Sequence, residues 1–478
     1  MPDDLWRLSA TALGAGYRSG SFTPEEVLSQ CLGWVVAHNG ALNAIICLDE
    51  AGARAAARES AARWNQGAPL GALDGVPITV KDNIFVRGLP TTWGSRIYAA
   101  HVPDKDELPI ARLRAGGAVI MGKTNVPEFT MQGYTDNLLF GPTRNPWNTA
   151  LTPGGSSGGA VASVSAGFCP VAIGTDGGGS IRRPASHTGL VGFKPSRGRV
   201  PRCDGLPPIF LDYEAIGPMT RTVDDAIAVT ALLAAPDARD PASEFFTQHP
   251  FAVPATPGQC RILYAPRFGD SPVDGEIAAS VDAAAQCLRA LGHRVDEAPV
   301  FTLADKVNAG WPRMSQAGLA WLLHERNDWQ GKLTAGMQSA AETGLAMPAR
   351  ELFDVLIAVA EMRAALGAVF SDHDFILTPS AAALPWPAAE AFPPVIAGQH
   401  VGPRGHAVFT AFANAAGLPA ISLPCAPSKS GLPIGFHLVG RHAGDNLLLA
   451  LARQYEQAHP WQDRWPALDT HNGQDEQH

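Results

Sequence analysis

Lys81, Ser156 and Ser180 have the chemistry of a base, a proton carrier and a nucleophile, and the two serines sit in two glycine loops. The loops are joined in one stretch from Gly154 to Arg183, GGSSGGAVASVSAGFCPVAIGTDGGGSIRR. Glycine loses more backbone entropy on folding than any other residue, so repeated glycine runs signal that something must approach the backbone closely. In Gly177-Gly178-Gly179-Ser180 the missing side chains leave successive N–H groups free to converge on one negatively charged oxygen beside a serine hydroxyl. That reads as a nucleophile inside its own oxyanion hole. A flexible linker is the plain alternative, but Val161 to Val164 and Pro170 to Ile173 read as a packed helix and a buried strand between the loops.

A serine nucleophile needs a base, and where no histidine is evident a lysine held neutral by desolvation can serve. Lys81 ends the apolar run from Leu73, LDGVPITVK, and a second serine such as Ser156 can stand between it and Ser180 as a proton relay. Taken alone, Lys81 reads more readily as a surface lysine paired with Asp82, because lysines are seldom fully buried. Two other motifs compete. Gly155-Ser156-Ser157-Gly158-Gly159 satisfies the nucleophile-elbow pattern GxSxG with Ser157 at its tip, and sequence spacing leaves a triad with His187, His293, His400 or His406 open. Its context is poor, since two prolines precede it where an elbow needs a buried strand. Gly117 to Thr124, GAVIMGKT, satisfies the phosphate-loop pattern, but Ala118 to Met121 is an apolar strand whose amides belong to a sheet ladder.

The elements that must hold these residues are well signalled. Thr23-Pro24-Glu25-Glu26 offers a capping box with proline at the first helical position, and Val27, Leu28, Cys31, Leu32 and Val35 follow at helical spacing. An alanine-rich helix is predicted from Asp49 to Trp64. A helix over 107–115 feeds a strand over 118–121, an alternation typical of a mostly parallel sheet. Later strands are predicted at 261–264, 293–295, 375–379, 420–423 and 434–439. Helices are predicted from Thr222, over 273–291, 350–370, 405–416 and 446–459. Residues 237–257 read as a loop. From Phe301 to Met347 the chain is irregularly amphipathic, and its Trp311, Trp321 and Trp329 read as core rather than substrate wall. The tail after Asp469 is predicted to fray.

With 478 residues the chain is long enough for two or three domains or one unusually large sheet-centred domain. A net charge of −9 and the absence of any run of five basic residues argue against nucleic acid as a partner. No secretory signal and no membrane span is legible. The seven cysteines are odd in number, scattered and never arranged as CxxC, which reads as free thiols of a cytoplasmic protein.

GVPITVKDNI, GKTNVPEF, GPTRNPWN, GGSSGG, GTDGGGSIRRPASHTGLVGFKPSRGRV and GPMTRTVDDA, with GLPAISLP and GLPIGFHLVG further on, resemble the amidase signature family in order and interval. The resemblance covers most of the chain and is strongest from about residue 70 to 230. It implies an α/β fold, a large twisted mixed β-sheet covered by helices on both faces. Residues 1–70 would be an N-terminal helical segment packed on the core, 71–470 a single amidase domain with the signature core at about 71–230, and 471–478 a disordered tail. It makes Lys81 the general base, Ser156 the relay serine reached through a cis peptide, and Ser180 the nucleophile. The amides of Gly177, Gly178, Gly179 and Ser180 would form the oxyanion hole, while Asp176 and Arg182 would support the loop. The implied activity is hydrolysis of a small carboxylic amide to an acid plus ammonia or an amine, with no metal and no cofactor. The expected partner is a small-molecule amide, without nucleic acid or membrane, and a homodimer is the commonest oligomer such a chain would form. The same resemblance admits the glutaminase-type subunit of a tRNA-dependent amidotransferase, and the same machinery could run an esterase or carbamate hydrolase.

Three positions depart from the family's common pattern. Gly177 replaces a threonine or larger residue, Arg183 an apolar one, and His187-Thr188 a frequent Phe-Cys pair. The extra glycine reads as a wider pocket beside the nucleophile, and Arg183 as reaching solvent or a nearby acid. By position in the resemblance, Glu128 to Tyr134, Pro207 to Tyr213 and Phe301 to Met347 would build the acyl pocket.

Overall fold

A computed structural model describes residues 4–326 and 329–468. The predicted fraying after Asp469, including the tail at 471–478, therefore lies outside the described residues.

Eleven strands form one sheet. From edge to edge they are Ile45–Leu48, Val119–Thr124, Pro77–Lys81, Val171–Asp176, Ala215–Thr220, Val191–Lys194, Ala420–Pro424, Gly435–Gly440, Phe375–Pro379, Arg261–Tyr264 and Arg294–Glu297. Successive strand residues face opposite sides of a sheet. Every residue of Pro77–Lys81, Val119–Thr124, Val171–Asp176, Phe375–Pro379, Ala420–Pro424 and Gly435–Gly440 is buried, so both faces are covered. This is the expected α/β architecture with a mixed sheet. The local alternation of helix and strand pointed to mostly parallel pairing, but six of the ten pairings are antiparallel. A period of helix and strand reports neighbours in sequence, whereas the antiparallel pairs here mostly join strands far apart in the chain.

Residues 1–70 hold the two predicted long helices, Pro24–Leu42 and Glu50–Asn65, with Thr23 and Glu26 forming the capping box. They also supply the edge strand Ile45–Leu48, which the sequence did not announce. Leu13, Val27, Leu28 and Leu32 share one apolar cluster with Val161, Val164 and Phe168, so this segment packs directly on the helix between the two glycine loops.

The irregular region is two helices, Asp305–Leu323 and Ala335–Leu345. Pro312 inside the first of them obscures its period in the sequence. The predicted helix over 405–416 is instead a short 3-10 turn, Gly405–Ala407, followed by Ala411–Ala415. Residues 241–247 of the predicted loop form a 3-10 turn as well. No helix among the described residues is long and apolar enough to cross a membrane.

Candidate active site

Lys81 is the last residue of the strand Pro77–Lys81 and is wholly buried. Its Nζ lies 2.9 Å from Ser156 Oγ, 2.9 Å from Thr175 Oγ1 and 3.1 Å from the Thr175 carbonyl oxygen. No carboxylate pairs with it among the described residues. Asp82, its sequence neighbour, instead pairs with Lys123 at 3.3 Å, so the surface-pair reading of Lys81 fails. Burial pushes the Lys81 pKa down to about 7, against the opposing charges of Glu214 and Asp176. A neutral amine has two N–H donors and one lone pair, and three partners surround Nζ. The two Thr175 oxygens can take the donors and the Ser156 hydroxyl can donate to the lone pair.

Thr175 lies within the motif GTDGGGSIRR, but the sequence alone gives it no role. It is held from behind by Asn83, whose Nδ2 donates to Thr175 Oγ1 at 3.0 Å and to Glu214 Oε1 at 3.1 Å. Arg202 closes this network by binding Glu214 and Glu107, each at 2.6 Å.

The Gly155–Ser156 peptide is cis. A Cβ at Gly155 would lie 2.5 Å from the Tyr134 carbonyl oxygen, so only glycine fits there. Ser156 and Ser180 line the same cavity. Ser157 does not; it is fully buried, its N–H donates to the Ser180 carbonyl at 3.3 Å, and its Oγ donates to the Thr175 carbonyl at 3.3 Å. The chain before it forms no strand, and none of the four candidate histidines bonds to it. His187 meets the Ala383 carbonyl and His293 meets Gln454, so the elbow reading has no triad.

The phosphate-loop reading also fails. Its last six residues are the strand Val119–Thr124, whose ladders run to Pro77–Lys81 and Ile45–Leu48. Lys123 is wholly buried, donating to the Ile84 carbonyl and Thr91 Oγ1, each at 2.8 Å.

Asp176 organises the second glycine loop. Its carboxylate accepts from Gly179 N–H at 2.6 Å, from Ile181 N–H at 3.0 Å, and from Arg182 Nη2 and Nε at 2.8 and 2.9 Å. Burial works against this charge, but the Arg182 guanidinium holds the carboxyl well below the usual carboxylate range. Gly179 N–H is therefore committed to Asp176, which removes it from the expected oxyanion donors. The N–H groups of Gly177, Gly178 and Ser180 have no protein acceptor among the described residues. Gly179 serves the turn itself, with φ at +118° and Thr410 packed where a Cβ would stand.

The cavity has a volume of about 600 Å³. Residues 130–134, Phe210, Asn308, Trp311, Pro312 and Ser315 line it, as position in the resemblance suggested, and so do Ala391, Phe392 and residues 402–407, which no motif marked. Trp311 is core and also a wall of this cavity, Trp329 is core, and Trp321 is about half exposed, so the reading as core fails for Trp321 and core and wall are not alternatives for Trp311. A Cβ at Gly177 would meet only Phe210 at 3.6 Å and Glu214 at 3.9 Å, so its absence does leave room beside Ser180. Arg183 reaches neither solvent nor an acid: it is buried, and its Nη1 donates to the Gly178 carbonyl at 2.7 Å and to Thr410 at 3.2 Å. No group of three or more His, Cys, Asp or Glu side chains that could hold a metal occurs among the described residues.

Comparison with known proteins shows the family. The family model described as Amidase matches residues 26–449. An acylamidase of Rhodococcus erythropolis is 33% identical over 97% of this chain and 98% of its own. A glutamyl-tRNA(Gln) amidotransferase subunit from Synechococcus sp. (strain CC9605) is 34% identical over 92% of this chain and 94% of its own. The crystal structure of a bacterial aryl acylamidase of the amidase signature enzymes superposes with a TM-score of 0.86 at 30% identity, covering 95% of this chain and 96% of that one.

Proposed function

The chain belongs to the amidase signature family and is a hydrolase of carbon–nitrogen bonds in non-peptide amides, and from that premise we propose that Ser180, Ser156 and Lys81 carry the reaction. Neutral Lys81 takes the proton of Ser156, and Ser156 takes that of Ser180 as Ser180 Oγ attacks the amide carbonyl carbon. The carbonyl oxygen becomes an oxyanion facing the N–H groups of Gly177, Gly178 and Ser180. Ser156 then returns a proton to the leaving nitrogen as the C–N bond breaks, and the amine or ammonia departs. Water, deprotonated through the same relay, attacks the Ser180 ester and releases the acid.

One observation carries the reading: a wholly buried lysine, without a carboxylate partner, lies 2.9 Å from a serine that shares a cavity with a second serine on a glycine loop. The test is intact-protein mass after treatment with a serine-directed phosphonate, comparing the wild type with Ser180→Ala and Ser157→Ala. Label lost only in Ser180→Ala is expected. Label lost only in Ser157→Ala would overturn the assignment.

The sequence relationship to the glutamyl-tRNA(Gln) amidotransferase subunits favours a second reading, glutamine as substrate within a larger complex. Free glutamine brings an ammonium group that wants a free acid. Glu214, the one carboxylate among the described lining residues, is already engaged by Arg202 and Asn83. A substrate without an α-ammonium fits this cavity better. Ammonia release from glutamine by the chain purified alone is therefore expected to be poor beside release from simpler amides.

A further inference from the structure

Five of the buried polar atoms without a hydrogen-bond partner among the described residues belong to cavity-lining side chains. They are Arg183 Nε, Arg404 Nη2, Asn308 Oδ1 and both ring nitrogens of His406. Buried polar groups normally find a partner, so five orphans on side chains that line one cavity mark an unusually under-satisfied polar cluster beside it. Its charge is specific. Arg183 is only 5% exposed, Arg404 is partly buried, and neither forms an ion pair with any carboxylate among the described residues. The neighbouring ion pair of Arg182 with Asp176 is complete in itself, and Glu214 on the cavity wall belongs to Arg202. The lining also has an apolar part, supplied by Met131, Phe210, Trp311, Pro312 and Phe392. The cavity therefore has a cationic end and a greasy side, with Ser180 within it.

Resting on the hydrolase reading of this site, we propose that the substrate is an amphipathic amide whose carboxylate is held by Arg183 and Arg404, with its apolar part against Phe210 and Trp311. A guanidinium fork is the natural receptor for a carboxylate, because two parallel charge-assisted hydrogen bonds fix orientation as well as charge. Arg183 already donates Nη1 to the Gly178 carbonyl at 2.7 Å, so a carboxylate on its free edge would lie close to the glycine loop that flanks Ser180. That places the anion a few bonds from the scissile carbonyl. The arginine that departs from the family's apolar pattern thus has a use that its burial alone would not predict.

The test uses two anilides with the carboxylate on opposite sides of the amide, the monoanilide of succinic acid and para-acetamidobenzoate. Each is paired with the analogue carrying isopropyl in place of carboxylate. Values of kcat/KM are measured for the wild type and for Arg404→Gln and Arg183→Met, and binding of all four compounds to Ser180→Ala is followed by calorimetry. In at least one pair the wild type is expected to prefer the carboxylate by about 100-fold or more, with the preference falling at least about tenfold in each variant and the binding following the same order. Arg183→Met also removes a support of the Gly178 carbonyl, so Arg404→Gln keeps the test decisive if that protein fails to fold. Equal or better use of both isopropyl analogues, with no binding preference, overturns the inference while leaving an amide hydrolase in place. If no anilide turns over and Ser180→Ala still selects the carboxylates, the anion site stands and the amide cleaved is not an anilide.

Discussion

Lys81 Nζ sits 2.9 Å from Thr175 Oγ1, and both side chains are buried, so the lysine's hydrogen-bond partners among the described residues are two threonine oxygens and one serine hydroxyl. Such a site favours the amine over the ammonium. With a pKa pushed down to about 7 by burial, Lys81 is neutral above that pH and protonated below it. Amide hydrolysis is therefore expected to rise about tenfold per pH unit on the acid side and to level off above a midpoint near 7. Lys81→Ala is expected to lower kcat by about 10²–10⁴-fold and to remove this limb. A pH profile of kcat/KM on one amide checks both.

Thr175→Val takes away the Oγ1 acceptor and keeps the carbonyl. The ammonium form, with three N–H donors to satisfy, loses more from this than the amine with two. The acid limb of the rate profile is expected to move to lower pH, while the plateau rate reports any displacement of Ser156. A limb that stays in place or moves to higher pH would show that Thr175 does not set the lysine's protonation.

Asp176→Asn separates loop support from chemistry. The variant leaves the buried Arg182 guanidinium without its counter-charge and weakens the anchor of Gly179 N–H, so a loss of about 3–5 kcal/mol of stability is expected. Because the folded state holds this carboxyl below its ordinary range, its contribution is complete above the unfolded-state pKa of about 4 and is lost as pH falls. Urea denaturation at neutral and acid pH should show the wild type and the variant converging as pH drops.

The residues we propose for catalysis stand out in the sequence because their chemistry and their backbone needs coincide. Glycine runs mark Ser156 and Ser180 directly, and the apolar run into Lys81 marks a strand end. The parts that escaped are those whose role depends on pairing across the fold. Thr175 is an ordinary strand residue until antiparallel and parallel neighbours place it beside Lys81. Arg404 precedes, and His406 lies within, a stretch that reads as one helix over 405–416, but the chain there is a short turn, and only packing brings both residues to the cavity. The same holds for Gly179: from sequence it is one of three equivalent glycines, and only the Asp176 side chain distinguishes its amide from its neighbours'.

That difference among the glycines can be measured. Gly177 has no positive φ, and a Cβ there meets nothing nearer than 3.6 Å, so Gly177→Ala is expected to be neutral or to stabilise by about 0.4–1 kcal/mol through the unfolded chain. Gly179 has φ at +118° and a Cβ position 2.2 Å from Thr410 Oγ1, so Gly179→Ala is expected to destabilise by more than about 1 kcal/mol and to disturb the loop that carries Ser180. Thermal unfolding of the two variants side by side tests the contrast, and equal effects would contradict the loop geometry.

Lys123 decides the fate of the phosphate-loop pattern. Its ammonium is wholly buried between the Ile84 carbonyl, Thr91 Oγ1 and the Asp82 carboxylate, in a strand whose amides are paired on both sides. A nucleotide has no route to it and no free amides to bind. ATP is expected to leave the melting temperature unchanged, since a ligand that bound the folded state would raise it. Lys123→Met is expected instead to act on stability, by about 3–5 kcal/mol, because it strands the buried Asp82 charge. Adding Asp82→Asn removes that charge as well, so the double variant should recover part of the loss. An ATP-dependent rise in melting temperature that disappears in Lys123→Met would restore the nucleotide reading, and a double variant no more stable than the single would show that Lys123 does not stand there to balance Asp82.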